Sequence, residues 1–218
     1  MHILLYSYII THGYFDILYF DNILFETLCY IITIFNIKLI YNIFPSYTIF
    51  ATLFNSMIHF SNDFYILLDN SNYIYALFLG LLYTKDQMIH WLYILNYTQL
   101  PLNHLQNIIT SIRYICMINS ILFFTQNTIL SSLNYITIML MGQIVNPLNT
   151  ITLYLALIHT PLSISRFPYT KTKDIFSLYL ILMYIHILVL IVGTNLIKKN
   201  ISIIVAVLNT HILFHLIK

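Results

Sequence analysis

The sequence predicts an all-α protein, a polytopic transmembrane bundle of about six to eight helices, since each crossing of a hydrocarbon core needs roughly 20 apolar residues. Three observations carry that expectation. The 218 residues are 60% hydrophobic and 7% charged, whereas a soluble domain carries roughly 25% charged residues. Apolar stretches recur from end to end as continuous runs, without the alternation of barrel strands, and in lipid such runs satisfy their backbone only as helices. The breaks between them are short and hold most of the prolines and most of the charges, as helix connections do. The whole chain, 1–218, reads as a single transmembrane domain with no internal repeat.

Taken in order, Ile3 to Phe20 includes His12, Gly13 and Asp16 and is placed in the interface or with its polar side against the bundle. Met1 to Ile10 has no basic n-region and no small-residue cleavage site, so no removable signal peptide is expected. Asn22 to Phe44 is a span with Glu26 and Lys38 near its ends, where side chains snorkel to water. Pro45 and Ser46 then stop and restart the chain, and Tyr47 to Leu68 is the next crossing. Tyr73 to Tyr83 and Met88 to Leu100 are short for a crossing and are left as one tilted helix, two half-helices or a re-entrant pair. Leu105 to Thr125 and Thr128 to Val145 follow, the latter ending at Asn146-Pro147, where proline kinks or ends a helix. Leu148 to Ser165, Ile175 to Ile197 and Ile201 to Ile217 complete the set, the last two as an antiparallel hairpin across Lys198-Lys199-Asn200. Arg166, Lys171, Lys173 and Lys218 on one side against Lys198 and Lys199 on the other place the C-terminus in the cytosol.

Composition also excludes functions. A formal charge of +2 without a basic tract gives nucleic acid no electrostatic footprint. Cys29 and Cys116 lie in apolar segments without metal-type spacing and read as small buried hydrophobes. Only four glycines are present, none paired at four-residue spacing, so helix packing is expected to lean on Ser, Thr and Asn. No cofactor and no bound metal is expected.

One constellation stands out. Asn55, His59, Asn62 and Asp63 fall at i, i+4, i+7 and i+8 of one span and so share a helical face. An ionisable pair in mid-membrane is costly and marks a functional candidate. His59 can act as a base oriented by Asp63, both can ligate a metal, or the stripe can hydrogen-bond across helices as packing. His211 and His215, four apart on the last span, present two imidazoles to one point, or sit at the aqueous boundary near the terminus.

Ser56-Met57-Ile58-His59, Asn72-Tyr73-Ile74, Lys85-Asp86 with His90, and Gly142-Gln143 leading to Asn146-Pro147-Leu148-Asn149 occur in an order that resembles the TLC-domain family of multi-spanning lipid proteins, over about residues 47–217. The resemblance adds His90 to His59 and Asp63 of the stripe as catalytic candidates, and Gln143 to Asn55 and Asn62 of the stripe as candidates for contact with substrate. Where the family has a His-His pair, this chain has His90-Trp91, which implies a diverged lipid-binding or lipid-sensing member rather than a working acyltransferase. His90 beside Trp91 also suits a headgroup-level ring pair. The expected partner is membrane lipid, in the endoplasmic reticulum or another endomembrane, with the mitochondrial inner membrane as alternative. A structural or assembly subunit contacting other membrane subunits is the second expectation, and a lipid acyl-transfer enzyme the third.

Overall fold

A computed structural model describes residues 22–83, 86, 89, 100–144, 147–165, 180 and 201–217. Among them all regular structure is helical, in the order α1 Ile23–Ile43, α2 Pro45–Leu68, α3 Tyr73–Tyr83, α4 Leu102–Gln126, α5 Ile129–Ile144, α6 Pro147–Tyr154, a π-helical turn Leu155–His159, α7 Thr160–Ser165 and α8 Ile201–Ile217. The expected span Ile3 to Phe20, the span Ile175 to Ile197 apart from Leu180, and the segment Met88 to Leu100 apart from Ile89 and Leu100 lie outside the described residues. The chain divides into two compact units, Pro45–Thr150 and Met1–Phe44 with Ile151–Lys218.

Local chemistry sets the helix ends. Asn22 Oδ1 accepts from the Phe25 amide at 3.2 Å while the Asn22 amide donates to Glu26 Oε1 at 3.1 Å, a reciprocal cap that satisfies two amides at the start of α1. Glu26, expected to snorkel, is therefore a capping residue. Pro45 opens α2 as its first residue, the position where a missing amide hydrogen costs no helical bond. Asp69 closes α2 with φ of 55° and its amide on Tyr65 O at 2.9 Å, a left-handed cap that short polar side chains tolerate. Asn70 Oδ1 then accepts from the Asn72 amide at 2.9 Å, turning the chain into α3. Helix α5 is described as far as Ile144 and α6 from Pro147 onward, while Val145 and Asn146, where a kink or stop is expected, lie outside the described residues.

In the unit 45–150, α3 is the hub and packs against α5, α4 and α2. Its Tyr73, Ile74, Ala76, Leu77, Phe78, Leu81 and Leu82 are all buried. Its described part spans 11 residues, about 16 Å at 1.5 Å per residue. Gly80 of α3 lies against Gly142 of α5: a Cβ on Gly80 would run into the Met139 carbonyl oxygen and come to 3.0 Å from Gly142 Cα, and one on Gly142 would meet Leu77 O at 3.0 Å. The absence of side chains here lets two backbones touch. The expectation that packing leans on Ser, Thr and Asn is thus incomplete, because this glycine pair lies across two helices where spacing along one chain does not reveal it. Beyond it, the Tyr135 ring lies 4.5 Å from Phe123 and 6.2 Å from Tyr73, and Tyr73 lies 5.3 Å from Phe123. The Tyr135 hydroxyl shares a 2.7 Å hydrogen bond with Ser120 Oγ, which satisfies the one polar atom of that buried ring.

In the other unit α1 packs against α8, with Tyr30 edge-on to Phe214 at 5.0 Å. Only Ile37 and Tyr41 are buried among the described side chains of α1, while Leu24, Phe25, Leu28, Ile31, Ile32, Phe35, Leu39, Ile40 and Ile43 are exposed. Two helices among the described residues are long and apolar enough to cross a membrane, Leu24–Ile43 and Leu102–Gln126. Helix α2 has comparable length, 24 residues, but its polar face lowers its hydropathy.

Candidate functional site

The buried face of α2 is polar along most of its length. Thr48, Thr52, Ser56, His59 and Asp63 are all buried on it, accompanied by Ile49, Met57 and Phe64. Steps of three and four residues bring them to one side of the helix. The hydroxyls turn inward on their own backbone: Thr52 Oγ1 donates to Thr48 O and Ser56 Oγ to Thr52 O, each at 2.7 Å. That leaves His59 and Asp63, one turn apart, as the ionisable groups of the face. Asp63 is 1% exposed and His59 8%, and neither lacks an interaction partner. The His59 ring contacts Phe60 at 5.2 Å between centroids.

Of the residues expected in the stripe, His59 and Asp63 lie together on the buried face, Asn55 is half-buried beside it and Asn62 is exposed. The reason is angular. At about 100° per residue, Asn62 falls roughly 80° from the centre of the face set by Thr48, Thr52, Ser56, His59 and Asp63. Gln143 is half-buried on α5, next to the Gly142 contact. His90, like Trp91, lies outside the described residues. His211 is buried and His215 half-buried, their rings edge to face at 4.6 Å. Cys29 and Cys116 are free thiols, the second buried.

Two further residues stand out that the sequence reading passed over. His159 closes the π-helical turn, 1% exposed, with its ring stacked on Tyr154 at 6.3 Å; single π turns interrupt helices at functional sites. Arg113 lies near the middle of α4, and its Nε is buried without a hydrogen-bond partner among the described residues. An unsatisfied buried donor costs about 1–3 kcal/mol, more when charged. A partly open groove of about 340 Å³ runs along this face of α4, lined by Ile109, Thr110, Arg113, Tyr114 and Met117, of which Thr110, Tyr114 and Met117 are exposed. A lone cation inside an apolar span is itself a sequence signal; counting charges only in loops, as the orientation rule directs, passes over it.

Chemically, α2 offers hydroxyls, an imidazole and a carboxyl on one face, and α4 offers a guanidinium with an unmet donor. No protein family, characterised protein or solved structure matches this chain.

Proposed function

We propose that this chain is a polytopic integral membrane protein that binds lipid, with the buried His59 and Asp63 face of α2 as its working surface. The observation that carries the reading is the apolar covering of α1, nine of whose large hydrophobic side chains are exposed while two are buried. Moving that surface from water into hydrocarbon is worth on the order of 10 kcal/mol or more. Placing Lys38 in the span costs about 2.5–3.5 kcal/mol on the insertion scale for a helix centre, and less near a helix end. Transfer into lipid therefore wins, and the same reasoning applies to α4, where Met117, Ile118, Ile121, Leu122 and Phe124 are exposed. Contiguous apolar surface of this extent is foreign to soluble monomers.

Lipid binding is supported by a second contrast. The α2 helix hides His59 and Asp63 while it exposes Ile58, Tyr65, Ile66 and Leu67, the inside-out distribution of a helix with lipid on one side and a polar interior on the other. Ser56 and His59, the first of the four elements that carry the TLC-like resemblance, both belong to that interior face. The imidazole and carboxyl there would contact the polar part of a lipid, with Asp63 orienting His59.

The test is a paired assay of membrane integration and co-purifying lipid for Asp63→Leu and His59→Leu, with His186→Leu as control. Asp63→Leu should integrate at least as well as the parent, since a costly polar group is gone, and should carry less lipid through purification. Equal lipid content in parent and variants would refute the reading. A stoichiometric protein partner co-purifying with a lipid-free chain would put the assembly-subunit reading in its place.

A further inference from the structure

The α4 groove brings together groups that the α2 face does not use. Arg113 stands eleven residues into the 25-residue helix, about 16 Å from its start by helical rise, which in a spanning helix is close to mid-bilayer. Its Nε has no hydrogen-bond partner among the described residues. The groove beside it lies along one face of α4 and is lined by the apolar Ile109 and Met117 and the hydroxyl-bearing Thr110 and Tyr114, with Tyr114 and Met117 exposed. A volume of about 340 Å³ lies within the range of small-molecule sites, which combine apolar walls with a few polar anchors.

We propose that this groove is a binding site for a long-chain carboxylic acid, whose carboxylate pairs with the Arg113 guanidinium while its alkyl chain lies along Ile109 and Met117. The guanidinium fork matches a carboxylate in geometry and charge, and the pair is neutral where either ion alone is costly. Depth selects the carboxylic acid among lipid anions. It can enter hydrocarbon in its protonated form, which desolvation favours, and release the proton to water on pairing with Arg113. A phosphate-ester headgroup, monoester or diester, carries at least one charge throughout and is held at the interface. The depth argument rests on the membrane-spanning reading above; the cation, its unmet donor and the groove do not.

The experiment uses the full-length chain purified in dodecyl maltoside, with retention of radiolabelled oleate, oleyl alcohol and dioleoyl phosphatidate measured after gel filtration. Wild type should retain oleate saturably and about tenfold or more better than either of the others, the margin expected of a charge-assisted hydrogen-bonded pair. Arg113→Gln should lose about that factor, and Arg113→Lys should lose less, keeping charge without the fork. Met117→Trp, which fills the groove and leaves the charge in place, should lose oleate as well and decides the matter if Arg113→Gln fails to fold. Equal retention of oleate and oleyl alcohol, preference for phosphatidate, or natively helical Arg113→Gln and Met117→Trp proteins that retain oleate like wild type would each overturn the proposal. Alkaline carbonate extraction of the same protein from membranes separates the two readings. A chain that carbonate strips yet retains oleate through Arg113 contradicts the membrane reading alone, and one that resists carbonate without carboxylate preference contradicts the site alone.

Discussion

Replacing Gly80 with alanine sets two effects of known size against each other. Alanine in a helix interior gains up to about 1 kcal/mol in propensity over glycine. The new Cβ, however, would collide with the Met139 carbonyl oxygen and stand 3.0 Å from Gly142 Cα and 3.1 Å from Met139 C. All three are backbone atoms of α5, so no side chain can swing aside and the helices themselves must separate. Overpacking of that kind costs about 1–3 kcal/mol, and separation also loosens the buried Leu77 and Leu81 packing. Gly80→Ala should therefore destabilise the protein by about 1–2 kcal/mol net. Gly142→Ala, whose Cβ would meet Leu77 O at 3.0 Å and Gly80 Cα at 3.1 Å, needs a shift of only a few tenths of an ångström and should cost less. Because a single separation relieves both clashes, the double variant should be less destabilised than the two singles summed. The assay is reversible unfolding in mixed micelles by sodium dodecyl sulfate titration, followed by far-UV circular dichroism. A Gly80→Ala protein as stable as the parent, or more stable, would refute the close backbone contact between α3 and α5.

Other substitutions probe single interactions. Tyr135→Phe removes the hydroxyl that shares the 2.7 Å bond with Ser120, but Ser120 keeps its bond to Cys116 O at 2.7 Å, so the cost should be about 0.5–1.5 kcal/mol in the same titration. Phe123→Ala opens a cavity between Tyr73 and Tyr135 and should cost about 3–5 kcal/mol. At Asp69, φ of 55° admits glycine freely and a β-branched residue poorly. Asp69→Val should lose about 1–2 kcal/mol while Asp69→Gly stays near the parent; equal stability of the two would show that the turn is not left-handed.

Helix limits were legible where local chemistry fixes them. The start of Tyr73 to Tyr83 matches the observed helix, because the polar turn Asp69-Asn70-Ser71-Asn72 delimits it. Pro45 was legible as a restart for the same reason. What a helix faces was less legible. The rule that residues three and four apart share a face is coarse: it kept Asn62 in a stripe from which the helical rotation removes it, and passed over Thr48 and Thr52, which belong to that face. The Gly80–Gly142 contact depends on which helices meet, information held in the packing rather than in spacing along the chain. Arg113 was visible as a cation in an apolar span, but its unmet Nε and the groove beside it exist only once the helix is folded and packed.

The central claim, that the long apolar helices cross a bilayer, is tested most directly by cysteine accessibility in intact membranes. Single cysteines are placed along Leu24–Ile43 and Leu102–Gln126 in a chain with Cys29 and Cys116 replaced, then probed with a membrane-impermeant maleimide before and after permeabilisation. The account predicts that the middle of each helix resists labelling under both conditions and that the two ends of each helix label from opposite sides. Labelling along the full length of both helices before permeabilisation would contradict it.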